Sequence, residues 1–264
     1  MSDPQPARPH WAALVVVGIL AGTLSGLFGV GGGVLVVPAL LLLGVDQRRA
    51  AGTSVAAILP TAIVGAIGYA LTGQIDWIAG LLLAIGAVIG AQIGSLLLDR
   101  LPRAVLFWSF IVLLLLVAAS LWVRIPERDD RLEIGVLTGA TLILLGLVVG
   151  ILSAMFGVGG GVMVVPTLIV AYGSSDLIAK GTSLLMMVPG SISATVANAR
   201  RRNIDPIMAV LIGVPASLLS PVGLWAAASI PPAWSNIAFS VLIALVVAQL
   251  VARELRTRPK ETNP

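Results

Sequence analysis

The chain has 264 residues, of which 58% are hydrophobic and 11% charged, and its formal net charge is +4. A soluble domain carries roughly 25% charged residues, so this composition excludes an ordinary cytosolic enzyme, a disordered chain and a nucleic-acid binder that acts through a basic surface. The class that remains is a protein with several membrane-spanning segments.

Ten apolar segments follow one another along the chain, in two sets of five. The first set covers residues 11–28, 32–44, 51–72, 77–98 and 104–123, and the second covers 134–156, 160–172, 179–199, 206–229 and 233–252. Most reach the roughly 20 residues that a helix needs to cross a bilayer, and lipid tolerates no unpaired backbone. The second segment of each set is short and follows Gly-Val-Gly-Gly-Gly. We therefore predict an all-α polytopic membrane protein with short, glycine-initiated broken helices.

A close internal repeat relates the two sets. Residues 25–38 read SGLFGVGGGVLVVP and residues 153–166 read SAMFGVGGGVMVVP, identical at eleven of fourteen positions. After one inserted residue the match continues with Gly-Thr-Ser at 52–54 and at 181–183. Such a match indicates a duplication. The expected domains are a tail over 1–10, repeat 1 over 11–124, a connecting loop over 125–133, repeat 2 over 134–252 and a tail over 253–264.

The charges in the loops predict the orientation. If all ten segments cross, one face receives twelve of the sixteen Lys and Arg residues and the other receives four. The positive-inside rule then puts both termini in the cytoplasm. Five crossings per repeat is an odd number, so the second repeat enters from the opposite face and the repeats are inverted. A rival arrangement with re-entrant short segments divides the charges eleven to five, so the count barely separates the two.

Inverted repeats with interrupted helices are typical of secondary transporters, whose site lies where the broken helices of both repeats meet. Glycine lets the backbone approach a ligand, and the helix start that follows presents free N–H groups and a positive dipole end that favours an anion. The hydroxyls of the two triplets can also donate to an anion. The candidate substrate-binding residues are Gly29, Gly31, Gly32, Gly33, Thr53, Ser54, Gly157, Gly159, Gly160, Gly161, Thr182 and Ser183. The competing roles are tight hairpin turns for the glycines and bonds to helix carbonyls for the hydroxyls.

The residue types that usually perform catalysis are scarce. The chain has no cysteine, and its one histidine, His10, is in the N-terminal tail. Acidic residues such as Asp176 lie at segment ends or in loops, so a buried carboxylate relay is not expected. Lys180, beside the second triplet, either attracts anions to one mouth or extends its ammonium to the surface. We expect no enzyme activity, no metal and no cofactor.

The paired glycine blocks, the two Gly-Thr-Ser triplets and the downstream Gly86, Gly90 and Gly94 resemble the TauE/SafE sulfite exporter family of membrane permeases. The resemblance covers about residues 11–252. It implies a multi-pass permease of the bacterial inner membrane for a small sulfur-containing anion such as sulfite or an organosulfonate, with export as the expected direction. The expected partners are that substrate and the lipid bilayer, without nucleic acid. A passive anion channel and a non-transporting membrane scaffold remain as alternatives.

Overall fold

The structure is a computed structural model that describes residues 10–120, 122 and 135–257. These residues form ten helices and no strand. The helices are α1 Trp11–Phe28, α2 Gly33–Leu42, α3 Gln47–Leu71, α4 Trp77–Arg100, α5 Arg103–Ser120, α6 Val136–Phe156, α7 Gly161–Tyr172, α8 Asp176–Arg200, α9 Pro206–Ser229 and α10 Pro232–Thr257. The predicted all-α architecture is confirmed. The predicted loop over 125–133 lies outside the described residues.

Polar caps fix where four of the long helices begin. The side chains of Asp46, Ser175, Asp76 and Asp205 each accept a hydrogen bond from a backbone N–H in the first turn of the helix that follows. Such caps satisfy N–H groups that have no partner within the helix. They allow α3 and α8 to include a polar first turn, so these two helices begin at Gln47 and Asp176, ahead of the predicted starts at 51 and 179.

Seven of the described helices are long and apolar enough to cross a membrane. By contrast, α2 has 10 residues and α7 has 12. At 1.5 Å per residue they are about 15 and 18 Å long, against a hydrocarbon core of about 30 Å. Neither can cross the bilayer alone, so the assumption that all ten segments cross does not hold for these two. Both begin at a glycine, as predicted.

The first helix of each half packs along the fourth helix of the other half. The first half is defined here as α1–α5 and the second as α6–α10. A Cβ atom on Gly86, Gly90 or Gly94 of α4 would collide with a backbone carbonyl of α6, and one on Gly18 or Gly22 of α1 with a carbonyl of α9. Glycine stripes of this kind let two helices approach closely in a membrane. The α4 glycines therefore have a role in helix packing.

Helices α3 and α8 lie in the interior and run antiparallel. Gly52, near the start of α3, abuts the backbone of Asn203 just beyond the end of α8. In the equivalent contact, Gly181 near the start of α8 abuts the backbone of Gln74 just beyond the end of α3. The two helix starts therefore lie at opposite ends of the bundle. Reciprocal contacts of this kind are produced by a two-fold relation between similar units.

The outer surface is apolar. Many large hydrophobic side chains are exposed on it, including Leu71 and Val136 at the helix ends. Trp11, Trp77 and Trp122, which lie at or next to helix ends, are each more than half exposed. Exposed apolar surface of this extent is compatible with lipid and not with water. The chain is therefore a multi-pass membrane protein.

Candidate functional site

Two glycine turns interrupt the bundle, one in each half. We call residues 29–33 and 157–161 the paired turns. Gly29, Gly31 and Gly32 have φ angles of 68°, 74° and 74°. Their equivalents in the second half are also in the left-handed region, at 74°, 85° and 81° for Gly157, Gly159 and Gly160. Side chains rarely tolerate this conformation, which accounts for glycine at all six positions.

The paired turns contact each other in the interior. A Cβ atom on Gly33 would lie 2.6 Å from the carbonyl oxygen of Gly157, and one on Gly161 would collide with the carbonyl oxygen of Gly29. Because α2 begins at Gly33 and α7 at Gly161, the starts of both short helices lie at this contact. The structure thus brings together the eight glycines that the sequence singled out. Whether they bind a substrate stays a prediction.

The serines of the two triplets hold the opposite turn. Ser54 Oγ donates a 2.6 Å hydrogen bond to the carbonyl of Gly157, and Ser183 Oγ donates a 3.0 Å bond to the carbonyl of Gly29. Both serines are fully buried. Each hydroxyl proton is therefore directed to a turn carbonyl in this structure. The position of the serines beside the turns agrees with the sequence analysis, and their contact with a substrate stays a prediction.

Each threonine of the triplets accepts a hydrogen bond from the residue that precedes a helix of the other half. Thr53 Oγ1 accepts a 2.9 Å hydrogen bond from the N–H of Asp205, and Thr182 Oγ1 accepts one of 2.9 Å from the N–H of Asp76. These bonds connect the starts of α3 and α9 and the starts of α8 and α4. A hydroxyl that accepts a hydrogen bond still has its own proton to donate. Each threonine hydroxyl can therefore donate a hydrogen bond to a ligand, whereas the serine hydroxyls already donate to the turn carbonyls.

Two apolar side chains fill the centre between the paired turns. A Cβ atom on Gly31 would collide with Met187 Cε and lie 3.0 Å from Ile58 Cγ2. One on Gly159 would also collide with Met187 Cε and lie 3.2 Å from Ile58 Cδ1. Both residues are buried, and they occupy equivalent positions on α3 and α8. Sequence reasoning missed them, although each follows its triplet serine by four residues and so lies on the same helix face.

Beside the second turn lies a cavity of about 10 Å³, which has room for about one water molecule. It is lined by Ser153 and Ser191 together with apolar residues of α4, α6 and α8. The space next to the paired turns is thus small and mostly apolar in this structure.

A buried ion pair lies next to the first turn. Lys180 Nζ is 3.4 Å from Asp176 Oδ2 and 3.3 Å from Ser235 Oγ, and the two charged residues are 4% and 2% exposed. Asp176 lies at a helix start, as predicted, but its carboxylate is buried, which the sequence did not indicate. The cap at Ser175 starts α8 early enough to bring Asp176 into the protein interior. The ammonium of Lys180 also fails to extend to the surface, because it is held by Asp176.

The amino-acid sequence is similar, along most of its length, to a family model and to proteins described as probable membrane transporters. A family model described as "Sulfite exporter TauE/SafE" matches residues 1–121 and 142–264. A probable membrane transporter protein of Methanocaldococcus jannaschii is 28% identical over 255 residues, which cover 88% of this chain and 92% of that protein. A probable membrane transporter protein of Xylella fastidiosa is 32% identical over 196 residues, covering 71% and 74%. A sulfite exporter TauE/SafE family protein of Arabidopsis thaliana is 32% identical over 93 residues, covering 35% and 21%.

Proposed function

This chain belongs to the sulfite exporter TauE/SafE family of membrane transporters, and from that premise we propose that it is a permease that exports a small sulfur-containing anion such as sulfite or an organosulfonate. The proposal includes a location in the bacterial inner membrane and cytoplasmic termini. It assigns no catalysis, because passage of an anion requires only binding and a change of access.

The observation that carries the proposal is the contact between the paired turns. In α2 the first N–H to bond within the helix belongs to Leu35, so those of Gly33 and Val34 precede the bonded turns. In α7 the first such donor is Met163, so the N–H groups of Gly161 and Val162 also precede the bonded turns. Both helix starts thus lie at the contact between the paired turns, and free N–H groups and positive dipole ends favour an anion nearby. The binding site that we propose consists of these groups and the hydroxyls of Thr53 and Thr182.

The arrangement of α3 and α8 supports inverted repeats. These equivalent helices run antiparallel, so they would cross the membrane in opposite directions. The charge asymmetry of the sequence gives the absolute orientation, with the start of α3 on the cytoplasmic face. In such transporters one repeat rocks against the other around a central site and opens it to each face in turn.

The filled centre favours a transporter over a passive channel. A channel conducts through a continuous path, whereas Met187 and Ile58 close the space between the paired turns. An anion can pass only if these side chains or the turns move. Movement coupled to binding is the property of a transporter, and it produces a flux that saturates with substrate concentration.

Outward movement follows from the membrane potential. An inside-negative potential drives an anion out of the cell, with roughly 2.3 kcal/mol per charge for each 100 mV. Export of an anion therefore needs no coupling ion, whereas uptake would need one. The proposed direction rests on this argument and on the family name.

The purified protein in proteoliposomes tests the proposal. We expect saturable flux of ³⁵S-labelled sulfite or of methanesulfonate, increasing with an imposed inside-negative potential in the outward direction, and little flux of acetate. Liposomes with the Gly32→Leu protein are the matched control. Absence of flux for every sulfur oxoanion would show that the proposed function is wrong. Flux that increases linearly without saturation would instead identify an anion channel.

A further inference from the structure

We propose that Lys180 is a cationic contact for the transported anion at one face of the protein only, and that Asp176 is the internal carboxylate that the anion displaces from it. This inference rests on the proposed transport of a small anion. The paired turns are similar in both halves, whereas these two residues place a buried ion pair near one face only.

Lys180 lies directly against the proposed site. A Cβ atom on Gly29 would lie 2.6 Å from both Cα and Cβ of Lys180. Three residues further along α8, Ser183 donates to the carbonyl of Gly29. The side chain of Lys180 therefore begins within one helical turn of Ser183, which bonds to the first of the paired turns. An anion that enters or leaves at this end of α8 comes within reach of the lysine side chain.

The contact between Lys180 and Asp176 is long, and one oxygen of Asp176 has no hydrogen-bond partner among the described residues. Charge-assisted N–H···O bonds are usually about 2.7–2.9 Å long, whereas Lys180 Nζ is 3.4 Å from Asp176 Oδ2. The other carboxylate oxygen, Oδ1, is buried without a hydrogen-bond partner among the described residues. A pair that served structure alone would be expected to satisfy both oxygens, because a buried polar atom without a partner is destabilising. A long bond and an oxygen without a partner among the described residues fit a contact that is exchanged during transport.

The corresponding positions at the other face hold no such buried pair, and one ion pair that lies there, Arg49 with Asp205 at 3.6 Å, has a half-exposed arginine. With the offset of 129 residues that relates Gly52 to Gly181, the positions of Asp176, Lys180 and Ser235 correspond to Gln47, Ala51 and Leu106. Because α3 and α8 run antiparallel, these equivalents lie at the opposite end of the bundle. The buried side-chain nitrogen of Gln47 is also without a hydrogen-bond partner among the described residues. At these equivalent positions, only the second half therefore has a buried ion pair, which makes the two ends of the repeated site chemically different.

The exchange explains how a buried lysine can release its ligand. Departure of the anion takes a negative charge away from a buried lysine, and loss of a partner from a buried ion pair is strongly unfavourable. Asp176, one helical turn away, returns to the ammonium as the anion departs. The carboxylate thus lowers the affinity of the site for the anion and accelerates release at this face.

The test compares both faces in right-side-out and inside-out membrane vesicles with ³⁵S-labelled sulfite as the probe. The variant D176Q/K180A gives the second half the residues that the first half already accommodates, Gln47 and Ala51. We expect its half-saturation concentration to increase about ten- to a hundredfold at the face of Lys180 and to stay unchanged at the other face. The single variant D176N should have the opposite effect at that face, a lower half-saturation concentration and a slower turnover.

The matched control is the ion pair at the other end of α8. Arg201 and Asp99 are 2.6 Å apart, in a tight and partly exposed pair, and D99N/R201Q should leave both half-saturation concentrations unchanged. If the wild type transports sulfite while D176Q/K180A equals it at both faces, or while D176N fails to increase the affinity, the inference is wrong and the proposed function stands. If the wild type moves neither sulfite nor methanesulfonate, the proposed function fails and this inference fails with it.

Discussion

Ser54 on α3 donates a buried hydrogen bond of 2.6 Å to the carbonyl of Gly157, 103 residues away in the other half of the chain. The bond has a counterpart from Ser183 to Gly29. Each half thus fixes the glycine turn of the other half. Because the turns carry the proposed anion site, its geometry depends on how the two halves pack together.

The serine bonds should therefore contribute to stability. Ser54→Ala leaves the buried carbonyl of Gly157 without this donor, and an unsatisfied buried group costs about 1–3 kcal/mol. We expect lower thermal stability in detergent and reduced transport, with a similar result for Ser183→Ala. Ser217→Ala is the control, because Ser217 bonds only to carbonyls of its own helix. Equal stability of all three variants and the wild type would contradict this role of the serines.

Bulk at the paired turns should abolish transport. Gly32 is left-handed, and a Cβ atom there would lie 2.6 Å from the carbonyl oxygen of Ala21, so Gly32→Leu combines backbone strain with a collision beside the helix starts. Gly160→Leu should have the same result in the second half. Gly135→Ala is a suitable control, since a Cβ atom there meets nothing within 4 Å. Flux of labelled sulfite is the measurement, and wild-type flux in either leucine variant would exclude the turns from the path.

The threonine hydroxyls should contribute to anion affinity. Thr53→Val and Thr182→Val each remove a donor to the anion together with the acceptor for the N–H of Asp205 or Asp76. One hydrogen bond to a charged group contributes about 1.5–3 kcal/mol, so the half-saturation concentration should increase about ten- to a hundredfold. Thr23→Val serves as the control, because that hydroxyl bonds to its own helix at an exposed position. Normal transport at low substrate in both valine variants would make these hydroxyls structural.

The apolar centre should prevent leak. Met187 touches both turns, so Met187→Ala removes the side chain that fills most of the space between them. We expect a component of flux that no longer saturates, measured as anion current across a planar bilayer at fixed voltage. Met155→Ala, at another buried methionine, should leave the current at the background level. A Met187→Ala protein with no added current would show that the path does not pass between the turns.

The topology has a direct test because the chain contains no cysteine. Asp129→Cys places one thiol in the predicted connecting loop, which the charge count puts outside the cell. An impermeant thiol reagent should label it in intact cells. Labelling only in inverted vesicles would contradict the inverted-repeat arrangement, since the loop would then lie on the same side of the membrane as the cytoplasmic N-terminus.

Much of the fold could be predicted from local pattern. Apolar runs near bilayer length determine helices such as α4 and α6, because lipid provides no partner for an open backbone. Gly29, Gly31 and Gly32 showed where the first pair of helices breaks, since a cluster of glycines marks backbone that leaves the helical region. The repeat in turn showed that the second half would break in the same way. These features depend on residues close together in the chain, and the sequence displays them directly.

The tertiary structure decided what the polar groups do. The Gly-Thr-Ser triplets are visible in the sequence, but only the packing of the halves shows that Ser183 donates to Gly29 and that Thr182 accepts from the backbone of Asp76. Asp176 occurs at the end of an apolar run, where solvent exposure is the usual expectation, and docking against the neighbouring helices buries it with Lys180. The physical reason is that burial and most of these hydrogen bonds depend on other helices that are distant in the chain, whereas helix formation depends on neighbours within one or two turns.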